Sequence, residues 1–285
     1  MKSVKICVAA ITAGVVCIAV MLGILSAAIY AENESGDSFI GLMYHQVLKD
    51  ESRAGKYIIT PNELESDLAY LSENGYVSVL PSQLVKIREQ GGRLPEKTVV
   101  ITFDDGYETG LYYVLPLLKK YGMKAVINVV GSYTDEYSQI NEEGRHLSYS
   151  YLTWNEIKTL SDSGYVEIGN HTYDMHSYNG DRNGCARKEN ESDEQYRTVL
   201  YEDVARLSDK LQQVTGKRPV TFAYPFGSLS EGSAEIIGSA GISVFMTCCE
   251  QPCSMNRNGR IVINRYNRES GRTAQQICEE FNSAF

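Results

Sequence analysis

Thr98–Gly106 reads TVVITFDDG. An apolar, β-branched run stops abruptly at two adjacent carboxylates, Asp104 and Asp105, and a glycine. Such a run bounded by turn residues reads as a buried strand. Two like charges side by side at a strand end are costly unless a cation or hydrogen bonds compensate them. Downstream, a short apolar run (Tyr165–Ile168) leads into HTYDMH, His171 to His176. Carboxylates and imidazoles delivered at strand ends are the ingredients of a hydrolytic metal site. Catalytic zinc sites commonly take three protein ligands and keep a position open for water, and a spare carboxylate can act as general base.

Working outward, further strand-like runs are Phe39–Met43, Val77–Leu80, Ala125–Val130, Val166–Gly169, Val220–Tyr224, Ile242–Met246 and Ile261–Asn264. Helix signals fall between them. Thr60-Pro61-Asn62-Glu63 and Thr153-Trp154-Asn155-Glu156 are capping boxes. Glu194–Thr215 is amphipathic with Gly216 as its stop, and Thr273–Asn282 closes the chain. Ser132–Ser150 and Asn179–Asp193 are polar and unpatterned and read as rim loops. The alternation implies a largely parallel sheet covered by helices. The expected fold class is α/β, an irregular (β/α) barrel of about seven to eight strands over residues 39–285. In such barrels chemistry sits at the C-terminal rim of the strands. His45, Asp104, Asp105, His171, Tyr224 and Phe226 all follow strand ends, and Arg265 follows the last strand.

The chain has 285 residues and a formal charge of −9. Lys2 and Lys5 are the only basic residues before Glu32, so from position 32 onward 25 basic residues face 36 acidic ones. That balance disfavours nucleic acid, whose phosphates need a basic surface. The two lysines precede an uncharged apolar run, Ile6 to Tyr30. A bilayer core needs about 20 apolar residues, and a cleavable signal has a shorter apolar core of about 7–15. Residues 1–31 therefore read as a single-pass transmembrane anchor with the remainder outside the cell. Cleavage near Ser26-Ala27-Ala28 or Ala31, giving a secreted protein, is the alternative. Glu32–Ser38 reads as a linker. Outside the anchor lie Cys185, Cys248, Cys249, Cys253 and Cys278. Disulfides are permitted there, but five is odd and the pairing is not readable.

Each candidate has a plainer reading. An isolated Asp-Asp-Gly is commonly a turn. His171 and His176 are five apart, which on an α-helix separates them by about 140°, so both reach one ion only from an extended turn or a distorted helix start. His45, in MYHQV, could be a packed histidine, and Arg265 a surface charge. Tyr224-Pro225-Phe226-Gly227 alone is a rigid turn.

Taken together, TFDDG, the paired histidines and the FAYPFG turn resemble the polysaccharide deacetylases (carbohydrate esterase family 4, the NodB homology domain). The likeness runs from about Phe39 to the C-terminus. The H-T-Y-D-x-H form, with an early MYHxV, looks most like the poly-β-1,6-N-acetylglucosamine deacetylase branch. That resemblance implies Asp105, His171 and His176 as metal ligands, Asp104 as base and His45 as general acid, since no His follows His176. It implies zinc, with cobalt or nickel as alternatives, and an oxyanion contact from the Phe226 N–H. Tyr224, Phe226 and Trp154 would offer flat faces to sugar rings. The family's base-orienting Arg is replaced by Ala223, and Arg265 is the candidate substitute. The implied activity is metal-dependent removal of N-acetyl groups from an extracellular N-acetylglucosamine polysaccharide. An O-deacetylase of xylan or wall polymer and a non-catalytic glycan-binding protein are the alternatives.

Overall fold

The computed structural model describes residues 38–178, 182–256 and 258–283. The anchor reading for 1–31 and all of the linker but Ser38 lie outside them. Among the described residues no helix is long and apolar enough to cross a membrane.

The strands among the described residues are, in chain order, β1 Ser38–Tyr44, β2 Gln46–Val47, β3 Ile58–Ile59, β4 Val77–Ser78, β5 Thr98–Phe103, β6 Ala125–Val129, β7 Val166–Asn170, β8 Thr221–Ala223, β9 Val244–Met246, β10 Cys253–Ser254, β11 Ile261–Ile263 and β12 Tyr266–Asn267. Strands β1, β5, β6, β7, β8, β9 and β11 pair in that order, all parallel. Strand β12 then pairs parallel with β1, Leu42 opposite Tyr266. One chain segment therefore leaves β9 and returns to β1, and the sheet is a nearly closed eight-strand barrel. Asn264 and Arg265 form the seam. A Cβ on Gly41 would lie 2.3 Å from the Asn264 carbonyl oxygen, so only glycine lets the seam approach β1 this closely.

Both faces of β5, β6, β8 and β9 are buried, as expected of parallel strands between helices. Alternate residues divide between them. Val99, Ile101 and Phe103 pack with Leu64, Leu68 and Leu71 of the helix Pro61–Glu73. Val100 packs with Val126, Ala223 and Met246 in the barrel interior. Each fully buried leucine contributes about 1.5–3 kcal/mol. Both predicted capping boxes form: Thr60 accepts from Glu63 N at 3.2 Å, and Thr153 from Glu156 N at 3.3 Å. The long helix spans Asp193–Thr215, and left-handed Gly216 stops it.

One loop expectation is corrected. Gly131–Tyr137 is helical, although Ser132–Ser150 carried no apolar period. Tertiary ties hold it in place of a buried stripe: Gly131 N donates to Thr172 O at 3.1 Å and Ser132 N to Tyr173 O at 2.7 Å.

Candidate metal centre and catalytic rim

Asp104 and Asp105 leave β5 in different directions. The Asp104 N–H donates to Tyr44 O at 2.9 Å, continuing the ladder, while Asp105 is left-handed with φ 72°. That reversal brings its carboxylate to the two imidazoles. Asp105 Oδ1 lies 3.4 Å from His171 Nε2 and 3.1 Å from His176 Nε2. One ligand atom from each of the three residues lies within 4.8 Å of the others. The segment His171–His176 is an extended turn with no helix, one of the two shapes the spacing allowed.

The donor chemistry suits a divalent ion. His171 Nδ1 meets the Ala223 carbonyl at 2.8 Å; a carbonyl only accepts, so Nδ1 carries the proton and Nε2 presents its lone pair to the centre. This carbonyl brace is characteristic of metal-ligating histidine. Two neutral nitrogens and one carboxylate match zinc's preferences. Burial opposes charge on both groups. Nevertheless the neighbouring imidazoles hold the Asp105 carboxyl well below its ordinary range, and Asp105 with Asp104 raises His171, so the centre favours a positive charge.

Asp104 sits beside this triad, 3% exposed. Its Oδ1 receives Arg265 Nη1 at 2.8 Å and Asn128 Nδ2 at 2.7 Å. Burial alone would raise its pKa, but the Arg265 guanidinium, together with His171 and His45, outweighs it and holds the carboxyl well below the usual range. Among the described residues neither bond uses Oδ2, which is left to accept a proton. Arg265 is no surface charge: it is fully buried at the barrel seam, with Nε on Thr247 O at 2.9 Å and Nη1 on Thr102 Oγ1 at 3.1 Å. It orients the carboxylate that Ala223 cannot reach.

His45 follows β1 with its ring 4.7 Å from the Tyr57 ring. Burial lowers its pKa, partly opposed by Asp105 and Asp104. Phe226 is half exposed and left-handed, φ 58°, and its ring lies 4.7 Å from His176. Its N–H donates to no described group.

The flat-face expectation fails for Tyr224 and is narrowed for Trp154, which is only partly exposed. Tyr224 is 3% exposed and packs with Phe222, Leu200 and Ile237. Strand alternation carries it outward with Phe222, under the helices, while Ala223 faces the interior. Trp154 packs against the core, its Nε1 donating to Asp135 Oδ1 at 2.8 Å. Sequence reasoning also passed over Asn128. A fully buried amide inside an apolar strand is expensive unless bonded, which was the available signal. Among the described residues Cys185, Cys248, Cys249, Cys253 and Cys278 are all free thiols.

The family model for polysaccharide deacetylase matches residues 91–245, more than half the chain. The chain belongs to the polysaccharide deacetylase family. It is 26% identical over 230 residues to a poly-β-1,6-N-acetyl-D-glucosamine N-deacetylase of Escherichia coli, covering 74% of this chain and 34% of that enzyme. The chain thus spans about a third of that relative's length. A Staphylococcus aureus enzyme of the same name is 23% identical over 241 residues, covering 80% of this chain and 77% of that one. Among solved structures, a de-N-acetylase from Aggregatibacter actinomycetemcomitans superposes with a TM-score of 0.73 at 26% identity, covering 85% of this chain and 99% of that chain. IcaB from Ammonifex degensii gives 0.67 at 26% identity, covering 86% and 97%.

Proposed function

We propose that this deacetylase is a metal-dependent hydrolase that removes N-acetyl groups from an N-acetylglucosamine polysaccharide outside the cell, with poly-β-1,6-N-acetylglucosamine the first substrate to test. The observation that carries the reading is Asp104 beside the Asp105–His171–His176 triad, with one carboxylate oxygen held and the other open. The relatives' names support the substrate class, and the uncharged run Ile6–Tyr30 supports an extracellular site.

Asp105, His171 and His176 would hold the ion. A divalent ion there supplies Lewis acidity that makes water readily deprotonated near neutral pH and polarises the acetamide carbonyl. Asp104, fixed by Arg265 and Asn128, takes the water's proton on Oδ2. The Phe226 N–H, without a described partner, donates to the oxygen that gains charge. His45 delivers a proton to the departing amine. The exposed Phe226 ring, with Tyr178 5.5 Å away, offers an apolar face to a sugar.

The test is acetate release from poly-β-1,6-N-acetylglucosamine, chitin oligomers, peptidoglycan and acetylxylan, before and after chelation. Release from an N-acetylated glycan, lost with chelator and restored by zinc or cobalt, is expected. Release from acetylxylan alone, or full activity in metal-free protein, overturns the proposal.

A further inference from the structure

The His171 N–H still continues the ladder, to Val129 O at 3.0 Å, and the Thr172 and Tyr173 carbonyls accept from Gly131 and Ser132, but from there to His176 the chain is neither helix nor strand, so further ties must fix the separation of the two histidine ligands. Thr172, between them, is left-handed with φ 74°, a strained conformation for a non-glycine residue. Its N–H is held by Asn170 Oδ1 at 2.9 Å, and Asn170 Nδ2 is bonded to Val204 O at 2.9 Å and Ser208 Oγ at 3.0 Å on the long helix. The next two peptide N–H groups converge on one side chain of that helix. Tyr173 N donates to Asp203 Oδ1 at 2.7 Å and Asp174 N to Asp203 Oδ2 at 2.8 Å. A carboxylate accepting from two consecutive amides fixes the plane of the peptide between them.

Tyr173 is tied at its other end as well. Its hydroxyl donates to Asp135 and accepts from Arg206 Nη2 at 2.8 Å, and the Arg206 guanidinium lies 3.6 Å from its ring centre. Lys210 and Trp154 bind the same Asp135. The long helix therefore grips the turn midway between His171 and His176, and Trp154 belongs to this brace.

We propose that Asp203 is a positioning residue for the metal centre. It sets the relative placement of the two imidazoles through the Tyr173 and Asp174 amides and touches neither ring. The inference rests on the reading that Asp105, His171 and His176 hold a divalent ion. Replacing a supporting residue of this kind typically weakens metal affinity by about 10–100-fold.

Zinc affinity of the full-length, metal-free chain, measured by competition with a chromophoric chelator, tests it. Asp203→Asn keeps the shape but puts an amide N–H against a peptide N–H. It should weaken zinc binding by about 10–100-fold and alter the visible absorption of the cobalt-loaded protein, with the metal-free melting temperature near wild type. If wild type binds no zinc, the metal reading fails, whatever Asp203 does. If wild type binds zinc and Asp203→Asn matches it in affinity and cobalt spectrum, the positioning role is overturned, even if melting falls. Should the Asn variant not fold, Asp203→Glu moves the carboxylate by one methylene and carries the same test. A smaller loss of affinity is then expected, and an unchanged affinity and spectrum overturn the inference.

Discussion

Replacing Arg265 by methionine should damage both stability and catalysis, by amounts the structure bounds. Methionine keeps the buried stem and removes the guanidinium. Asp104, 3% exposed, is then left with Asn128 Nδ2 as its donor. Removing one partner of a buried pair costs about 3–5 kcal/mol, because the remaining charge is uncompensated. For a domain of this size about 1 kcal/mol moves the melting temperature by about 2–4 °C, so a fall of about 6–20 °C is expected. Catalysis should fall by about 10²-fold, the usual effect of a reacting group misplaced by about an ångström. Zinc content should stay near one equivalent, since Arg265 bonds none of the three ligands. The double variant Arg265→Met/Asp104→Asn removes the stranded charge and should melt above Arg265→Met, although it is inactive. Differential scanning fluorimetry and acetate release measure both effects. Melting within about 2 °C of wild type, or a double variant no more stable than the single one, refutes the reasoning.

Asp104→Asn and His45→Ala should each leave metal content intact and lower deacetylation by about 10²–10⁴-fold. His45→Ala should spare an activated acetate ester, whose leaving group needs no proton, whereas Asp104→Asn should impair both substrates; equal loss on the ester removes His45 from the acid role. Burial raises the Asp203 carboxyl to about 6 from its ordinary 3.8, so between those values the folded chain holds a proton that the unfolded chain has released. Its stabilising effect is thus full in acid and lost as pH rises through about 6; Asp203→Asn should flatten that part of the metal-free melting profile, and an identical profile contradicts the shift. Tyr224→Phe should leave acetate release unchanged, because its hydroxyl reaches only Ser233, at 3.4 Å, under the helices. If the N-terminal run is an uncleaved anchor, mass analysis of the mature protein will find residues 1–31 attached; a start near Glu32 makes the protein secreted.

The legible parts of the fold were those with a period. Thr98–Phe103 matched its strand residue for residue, and both threonine capping boxes announced helix starts that the structure contains. Strands β2, β10 and β12 are two residues long, too short for any alternation to register, so the seam that closes the barrel could not be read. The triad was legible because carboxylates and imidazoles stand out at strand ends. Of its supports, only Arg265 was named beforehand, through the family resemblance and not through any local pattern. Asn128 and Asp203 act across 24 and about 30 positions of sequence, and no local pattern encodes a partner that far away. Tyr224 was misread for a different reason: a conspicuous motif drew attention to each of its residues, while strand alternation had already sent this one to the other face.

The three non-glycine residues with positive φ among the described residues are Asp105, Thr172 and Phe226, one in each motif of the site. Each costs about 1–3 kcal/mol of backbone strain, so their coincidence on one rim calls for a physical reason. A regular strand sends consecutive side chains to opposite faces. If β5 simply continued, Asp104 and Asp105 could not serve the same centre. The left-handed turn at Asp105 lets two adjacent carboxylates do different work, one on the ion and one on the water. At Thr172 it bends the chain so that imidazoles five residues apart meet one oxygen. At Phe226 it brings a ring against His176 directly after Tyr224 has been committed to the core. The ties around these points, Arg265 and Asn128 on Asp104, Asn170 and Asp203 on the histidine turn, and Gly227 N on Tyr224 O at 3.0 Å, offset that strain. The supporting residues accordingly lie on the seam, on an inner strand and on the long helix Asp193–Thr215, each tied to another element of the fold.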